Sequence, residues 1–219
     1  MKLVAPLLAS LLAAFACAIT STCASAGTFP TIPNTSFDCA RASASIEKLI
    51  CRDPQLKRME IELTRLYRLV LTDERSVPPP DKVEVEQRFW VLERNACAAE
   101  AEPKACTVRS YAERAFQLRQ GSAIARTKDP SRLSEGPVAF RCAGLNALVA
   151  ATYFTVEPGV VYLKWANASA TLSQVPSEYA PLYKGKDSKG SYSFSQNGDE
   201  VFLQIPGSGQ MRCTAEPIG

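Results

Sequence analysis

The 219-residue chain reads as an α+β protein: a small α-helical domain pinned by disulfides, then a small antiparallel β domain. Three observations predict this. Apolar residues recur at three- and four-residue steps as far as about residue 120. Short β-branched and aromatic runs separated by turn residues take over from about residue 138. Cysteines outside an apolar leader come in an even number, the mark of a disulfide framework in an exported chain.

The leader comes first. Lys2 gives a short positive start, Leu3 to Ile19 are almost wholly apolar, and Ala24-Ser25-Ala26 reads as a cleavage site, so residues 1–26 are expected to be a signal peptide. Small residues follow the apolar run instead of a charged stop-transfer cluster, so no stable membrane span is expected. Cys17 is a candidate lipid-anchor site, although alanine stands three residues upstream where leucine is usual. The expected location is the periplasm or outside the cell.

Eight cysteines are present, and Cys17 and Cys23 leave with the leader. The other six allow fifteen pairings. Spacing favours Cys39–Cys51, Cys97–Cys106 and Cys142–Cys213. A zinc or redox site would need Cys-x-x-Cys spacing or histidines, and the chain has neither, so no metal or cofactor is expected. The absence of histidine also removes Ser-His-Asp and Cys-His catalysis. Carboxylate-only glycosidase chemistry survives that filter, but no spaced acidic pair demands it, and Asp199 and Glu200 would point to opposite faces of a strand. The expectation is a binding protein rather than an enzyme. Charge is balanced in both halves, with 25 Lys+Arg against 22 Asp+Glu overall and no basic block, which argues against nucleic acid.

Helical spacing starts near Ser43, with Glu47 in the first turn, and a second start falls at Asp53-Pro54. Leu56, Met59, Leu63, Leu66 and Val70 continue it; Ser76-Val77-Pro78-Pro79-Pro80 breaks it. Val83, Phe89, Trp90 and Leu92 resume the pattern, and Val108, Tyr111, Ala115 and Leu118 carry it to Gly121. Residues 37–120 are therefore expected to form a helical hairpin or three-helix unit, and polar residues 121–137 a linker. Beyond, strands are expected at 138–142, 148–154, 160–165, 170–174, 191–195, 201–205 and 211–214. Turn signals such as Asn197-Gly198-Asp199 separate them. Seven or eight short strands in so small a domain imply a barrel or sandwich, residues 138–215, with a modest core.

The β segment resembles the MliC family of inhibitors of c-type lysozyme. Phe140-Arg141-Cys142, Gln174-Val175-Pro176-Ser177, Tyr183, Phe194, Gly198-Asp199-Glu200 and Cys213 carry the resemblance, in family order over residues 138–214. The resemblance implies an eight-stranded antiparallel β-barrel that inserts a loop into the lysozyme cleft. Such a cleft holds two carboxylates about 5 Å apart, so a hydroxyl and an ammonium are natural occupants. In this sequence Tyr179 stands where the family has its inserted serine, and Asn197 where it has its lysine. Tyr179 keeps a hydroxyl, and the segment from Tyr183 to Phe194 looks expanded, with Lys184, Lys186 and Lys189 on an expected loop. Ser177, Tyr179, Tyr183, Lys184, Lys186, Lys189 and Asn197 are the inhibitory-loop candidates.

The helical segment resembles a second family, the LprI N-terminal domain, also associated with lysozyme inhibition. Phe37-Asp38-Cys39-Ala40, Glu47, Ile50-Cys51, Leu56, Leu63, Tyr67, Gln87, Trp90, Arg94, Cys97, Cys106, Tyr111 and Arg114 carry it over residues 37–118; Met59-Glu60 stands where Leu-Asp is usual. On side-chain chemistry Tyr67, Trp90 and Tyr111 are expected as core aromatics, and Arg94 as a brace. The two resemblances imply an exported inhibitor or binder of lysozyme, c-type first. The alternative is an envelope module on the same scaffolds that binds another glycosidase, peptidoglycan or a host protein.

Overall fold

The computed structural model describes residues 36–127 and 133–217, which fall within one compact unit, Pro33–Gly219. The leader, with Cys17 and its expected cleavage site, lies outside the described residues. The chain is α+β: five helices, α1 (Ser45–Arg52), α2 (Pro54–Leu71), α3 (Pro80–Ala96), α4 (Pro103–Gly121) and α5 (Ala123–Thr127), precede eight strands. Those are β1 (Ser134–Cys142), β2 (Leu148–Phe154), β3 (Val160–Trp165), β4 (Ala168–Val175), β5 (Leu182–Asp187), β6 (Gly190–Asn197), β7 (Glu200–Gln204) and β8 (Met211–Ala215). They close into an antiparallel barrel in sequence order. Among the described residues no helix is long and apolar enough to cross a membrane.

Local chemistry sets the helix boundaries. Glu47 reaches back to accept from the Ser43 and Ala44 N–H groups at 3.1 and 3.2 Å, satisfying donors at the start of α1. Asp53 caps α2, accepting from Leu56 N–H at 3.0 Å, with Pro54 behind it in the first turn. Lys104 Nζ of α4 lies 2.6 Å from the same carboxylate. Burial pushes the Asp53 pKa up, but the Lys104 hydrogen bond and charge, with the Leu56 and Gln55 amides, outweigh it and hold the group below 3.8. A depressed carboxylate stabilises the fold above its unfolded pKa and loses that contribution as pH falls through the folded value. Asp53→Ala is expected to cost about 1 kcal/mol at pH 7. The difference from the parent should shrink on going to pH 3, as read by urea unfolding at both pH values.

The three disulfides pair as spacing favoured: Cys39–Cys51, Cys97–Cys106 and Cys142–Cys213. Cys97–Cys106 pins the end of α3 to the first turns of α4. Cys142–Cys213 sits at a paired position of β1 and β8, the closing seam of the barrel.

Strand β3 shows how the helical layer meets the barrel. Val161 and Leu163 pack into the barrel interior with Phe140, Phe194 and Leu203, while Val160 and Tyr162 pack with α2 and α4 residues in the helical core. Tyr162 lies 5.3 Å from Phe116 of α4, ring to ring. A strand buried on both faces carries a continuous apolar run, as Val160-Val161-Tyr162-Leu163 does. Around this contact, Gln55 donates to the Pro158 carbonyl at 2.7 Å and Arg58 to that of Thr155 at 3.3 Å. The buried Arg119 donates to the Gly136 carbonyl at 2.6 Å and to the Ser134 hydroxyl at 3.0 Å, and that hydroxyl donates to the buried Glu62.

Two segments differ from the sequence expectation. Within residues 121–137, α5 forms, and β1 starts at Ser134 rather than Val138. The Glu135-Gly136-Pro137 stretch at the end of the expected linker is a register shift inside β1, with Gly136 at φ +98°. The second difference is the expected loop between Tyr183 and Phe194, which is the β5–β6 hairpin. Its strand character is hidden because Gly185 faces the barrel interior: a Cβ there would lie 2.6 Å from Leu172 Cδ2 and 2.9 Å from the Thr171 carbonyl oxygen. With glycine on the inner face and lysines on the outer one, the apolar alternation that marks a strand is missing.

Candidate functional site

Antiparallel connectivity puts the β2–β3 turn, the β4–β5 loop and the β6–β7 turn at one end of the barrel, and the β5–β6 turn at the other. The first end gathers Ser177, Tyr179 and Asn197. Residues Pro176–Pro181 form the β4–β5 loop, and Gln196 N–H donates to the Pro181 carbonyl at 3.4 Å, joining that loop to the strand that ends at Asn197. Tyr179 is 88% exposed, the most exposed large apolar side chain among the described residues. Ser177 and Asn197 are exposed beside it. A concavity of about 510 Å³ lies against the loop, bounded by Glu157 and Pro158 on one side and by Gln174, Ser177 and Pro181 on the other.

The loop has a firm base. Gln174 N–H donates to the Gly159 carbonyl at 2.7 Å, tying β4 to the β2–β3 turn. Pro176 and Pro181 fix φ at both ends of the loop. An exposed phenol on a short, proline-bounded loop presents an apolar ring and a hydroxyl donor together, at little entropic cost on binding.

The remaining candidates are placed differently. Tyr183 is an interior residue: its ring lies 6.3 Å from Tyr153 and 6.4 Å from the buried Phe194. Burial pushes its pKa up, so it stays a neutral phenol. Tyr153 donates to Gln196 at 2.9 Å, completing the closure of that end. Lys184 and Lys186 stand on the outer wall of β5, opposite Ser193 and Ser191, and Lys189 lies in the β5–β6 turn at the far end. The expected loop of three lysines is therefore a strand face plus a distant turn.

In the helical layer the motif residues converge on a carboxylate. Glu60, 1% exposed, accepts from the Tyr111 hydroxyl, from the Ser36 N–H and hydroxyl, and from Thr64 at 3.2 Å. Arg94, 2% exposed, lies 3.3 Å from Glu60 and donates to the Tyr111 oxygen at 3.2 Å. Its guanidinium sits 5.3 Å from the Trp90 ring centroid and 5.8 Å from that of Phe37. Trp90 and Tyr111 meet edge to face at 5.4 Å. Burial, then the Glu60 charge, pushes the Tyr111 pKa well up and keeps it a hydroxyl donor. Arg94 is thus the brace that its chemistry suggested. Arg114, also buried, donates to Gln87 at 3.0 Å and Glu86 at 3.1 Å.

Sequence reasoning noted Glu60 only as a departure from a family position. The available signal was a carboxylate set inside the buried stripe of Leu56, Met59 and Leu63, where only a paired charge is tolerated. No group of three or more acidic or sulfur ligands able to hold a metal ion occurs among the described residues.

Lipoprotein LprI of Mycobacterium bovis and that of Mycobacterium tuberculosis are each 30% identical to this chain over 131 residues. The match covers 59% of this chain and 61% of theirs, so the chain spans less than two thirds of the relatives' length. No family model and no solved structure matches.

Proposed function

We propose that this chain is an exported protein of the bacterial envelope that binds and inhibits lysozyme, c-type first, by seating the Tyr179 loop in the enzyme's cleft. The observation that carries the reading is the pose of Tyr179, 88% exposed on a loop tied to its neighbouring strand. On the resemblance of the barrel segment to the MliC family, this residue would take the part of the inserted serine. Its hydroxyl would donate to a carboxylate of the cleft, and its ring would cover the apolar wall beside it. Asn197, at the family's lysine position, supplies an amide in place of an ammonium, so hydrogen bonding takes the part that charge has elsewhere. The similarity to lipoproteins of the LprI type supports an envelope location and leaves room for an anchor at Cys17.

The test is lysis of cell-wall substrate by c-type, g-type and i-type lysozymes in the presence of the mature chain. Inhibition of the c-type enzyme supports the reading; no inhibition and no complex at micromolar concentration overturns it. Tyr179→Ala is expected to weaken inhibition about tenfold or more, the usual scale for a buried aromatic anchor. Because the side chain packs against so little of its own protein, the unfolding midpoint should stay within about 0.5 kcal/mol of the parent. An unchanged inhibition constant for this variant would move the contact away from the β4–β5 loop.

A further inference from the structure

A second concavity, of about 600 Å³, runs between the start of α4 and the outer wall formed by β4 and β5. It collects cations. Lys184 and Lys186 project from the same face of β5, about 7 Å apart by strand geometry. Arg109 of α4 lines the same hollow. None of the three has an ion-pair partner among the described residues. Two carboxylates share the lining, so the three cations without ion-pair partners outnumber the acids by one. Asp187 is held by the Tyr192 hydroxyl and the Lys189 N–H, both at 2.8 Å, which fixes its carboxylate at the turn end of β5, and Glu102 is the other acid of the lining. Lys104, the fourth cation, is held by Asp53 at 2.6 Å.

Shape decides what these charges do. A side chain that enters an acidic cleft has to protrude, whereas Lys184 and Lys186 line a hollow flanked by a helix. They receive an anion rather than deliver a cation. The wall they share is also where the sheet opens: β4 and β5 pair only at Ser173↔Lys184, Gln174↔Tyr183 and Val175↔Leu182, so Ala168–Leu172 have no partner on β5. The Thr171 hydroxyl at this seam is buried without a hydrogen-bond partner. The rest of the lining sets the hydroxyls of Ser169 and Ser173 beside the small apolar faces of Val108, Ala170 and Pro158. Hydroxyls next to apolar faces match the two kinds of surface on a sugar ring, its O–H edge and its C–H face. The volume is in the range of small-ligand sites, not of a docked domain.

We infer that this groove is a binding site for a carboxylate-bearing oligosaccharide, held by Lys184, Lys186 and Arg109. The groove adjoins the hollow beside the Tyr179 loop, with Pro158 lining both, but none of its three cations lines that hollow. Each lysine or arginine that meets a carboxylate through a charged hydrogen bond is worth about tenfold in affinity.

Calorimetric titration of the full mature chain tests it, with trigalacturonate as the acidic sugar, maltotriose as its neutral counterpart and triglutamate as an acidic peptide. One-to-one binding of trigalacturonate is expected, about tenfold or more tighter than either control and weakening as salt is raised. Lys184→Glu with Lys186→Glu should reduce that affinity at least about tenfold per reversed charge, and Arg109→Ala by about tenfold. Amide chemical shifts should change along β5 and the first half of α4. Circular dichroism confirms that the variants stay folded, since all three side chains are exposed. Lysozyme inhibition by the lysine variant should match the parent, which separates failure here from failure of the Tyr179 reading. No binding, equal binding of maltotriose or triglutamate, or binding that survives the charge reversal overturns the proposal.

Discussion

Arg94→Ala is expected to lower the unfolding free energy by about 3–5 kcal/mol, the scale for removing one partner of a buried ion pair. The loss comes mainly from what is left behind. Glu60 would keep its hydrogen bonds from Tyr111, Ser36 and Thr64, but its charge would sit in a nearly dry interior with no cation against it. The same truncation empties the space between the Trp90 and Phe37 rings. Arg94→Lys should recover only part of the loss, because an ammonium cannot reach Glu60, Tyr111 and Asn95 together as the guanidinium fork does. Urea unfolding at pH 7 measures both variants. A cost under about 1 kcal/mol for the alanine would mean that Glu60 is solvated after all, and that α2, α3 and α4 are held together by apolar packing alone.

Removing the barrel staple should be comparably severe. Changing Cys142 and Cys213 together to serine is expected to cost about 4 kcal/mol, since the bond closes 71 residues of chain. The seam it sits on is short: β1 and β8 pair at Phe140↔Ala215, Arg141↔Thr214 and Cys142↔Cys213 only. Serine would also put two hydroxyls at positions 1–3% exposed. Thermal or urea unfolding reads the loss, with Cys97 and Cys106 both changed to serine as the comparison. That bond closes nine residues of separation and should cost about 3 kcal/mol. A barrel that unfolds at the same midpoint without its staple would show that β1 is held mainly by its long pairing with β2.

Much of this architecture is written in local chemistry. Asp53-Pro54 marks the start of α2, and the apolar steps from Leu56 to Val70 mark its buried face, because capping and periodicity act within a few residues. Cysteine spacing also anticipated the staples. What depends on distant partners was harder to read. Phe89 and Leu92 fit the helical pattern of α3 yet are 62% and 65% exposed, while the buried face of that helix is built on Val83, Trp90 and Arg94. An arginine is not recognised as a core residue until its carboxylate is found on another helix. The run at β3 marked a strand, but not that α4 covers its outer face. At the candidate site, the resemblance singled out Tyr179 and Asn197 by position, and the strand order puts both at one barrel end. Lys184 and Lys186 were expected on a loop because β5, with Gly185 on its inner face, lacks the alternation that would have revealed a strand.

The contact through β3 gives the molecule an uneven division of labour. Two covalent frames, one in the helices and one in the barrel, each brace their own part, and none of the three disulfides crosses between them. The joint itself is a fused interior: Phe154, Val156, Val160 and Tyr162 of the barrel segment complete a core whose other members are helical. A reductant therefore loosens each part without parting them. A barrel expressed alone would carry an apolar wound where the helices had been. The architecture is one continuous core wearing two separate corsets, and its halves are poor candidates for exchange between proteins.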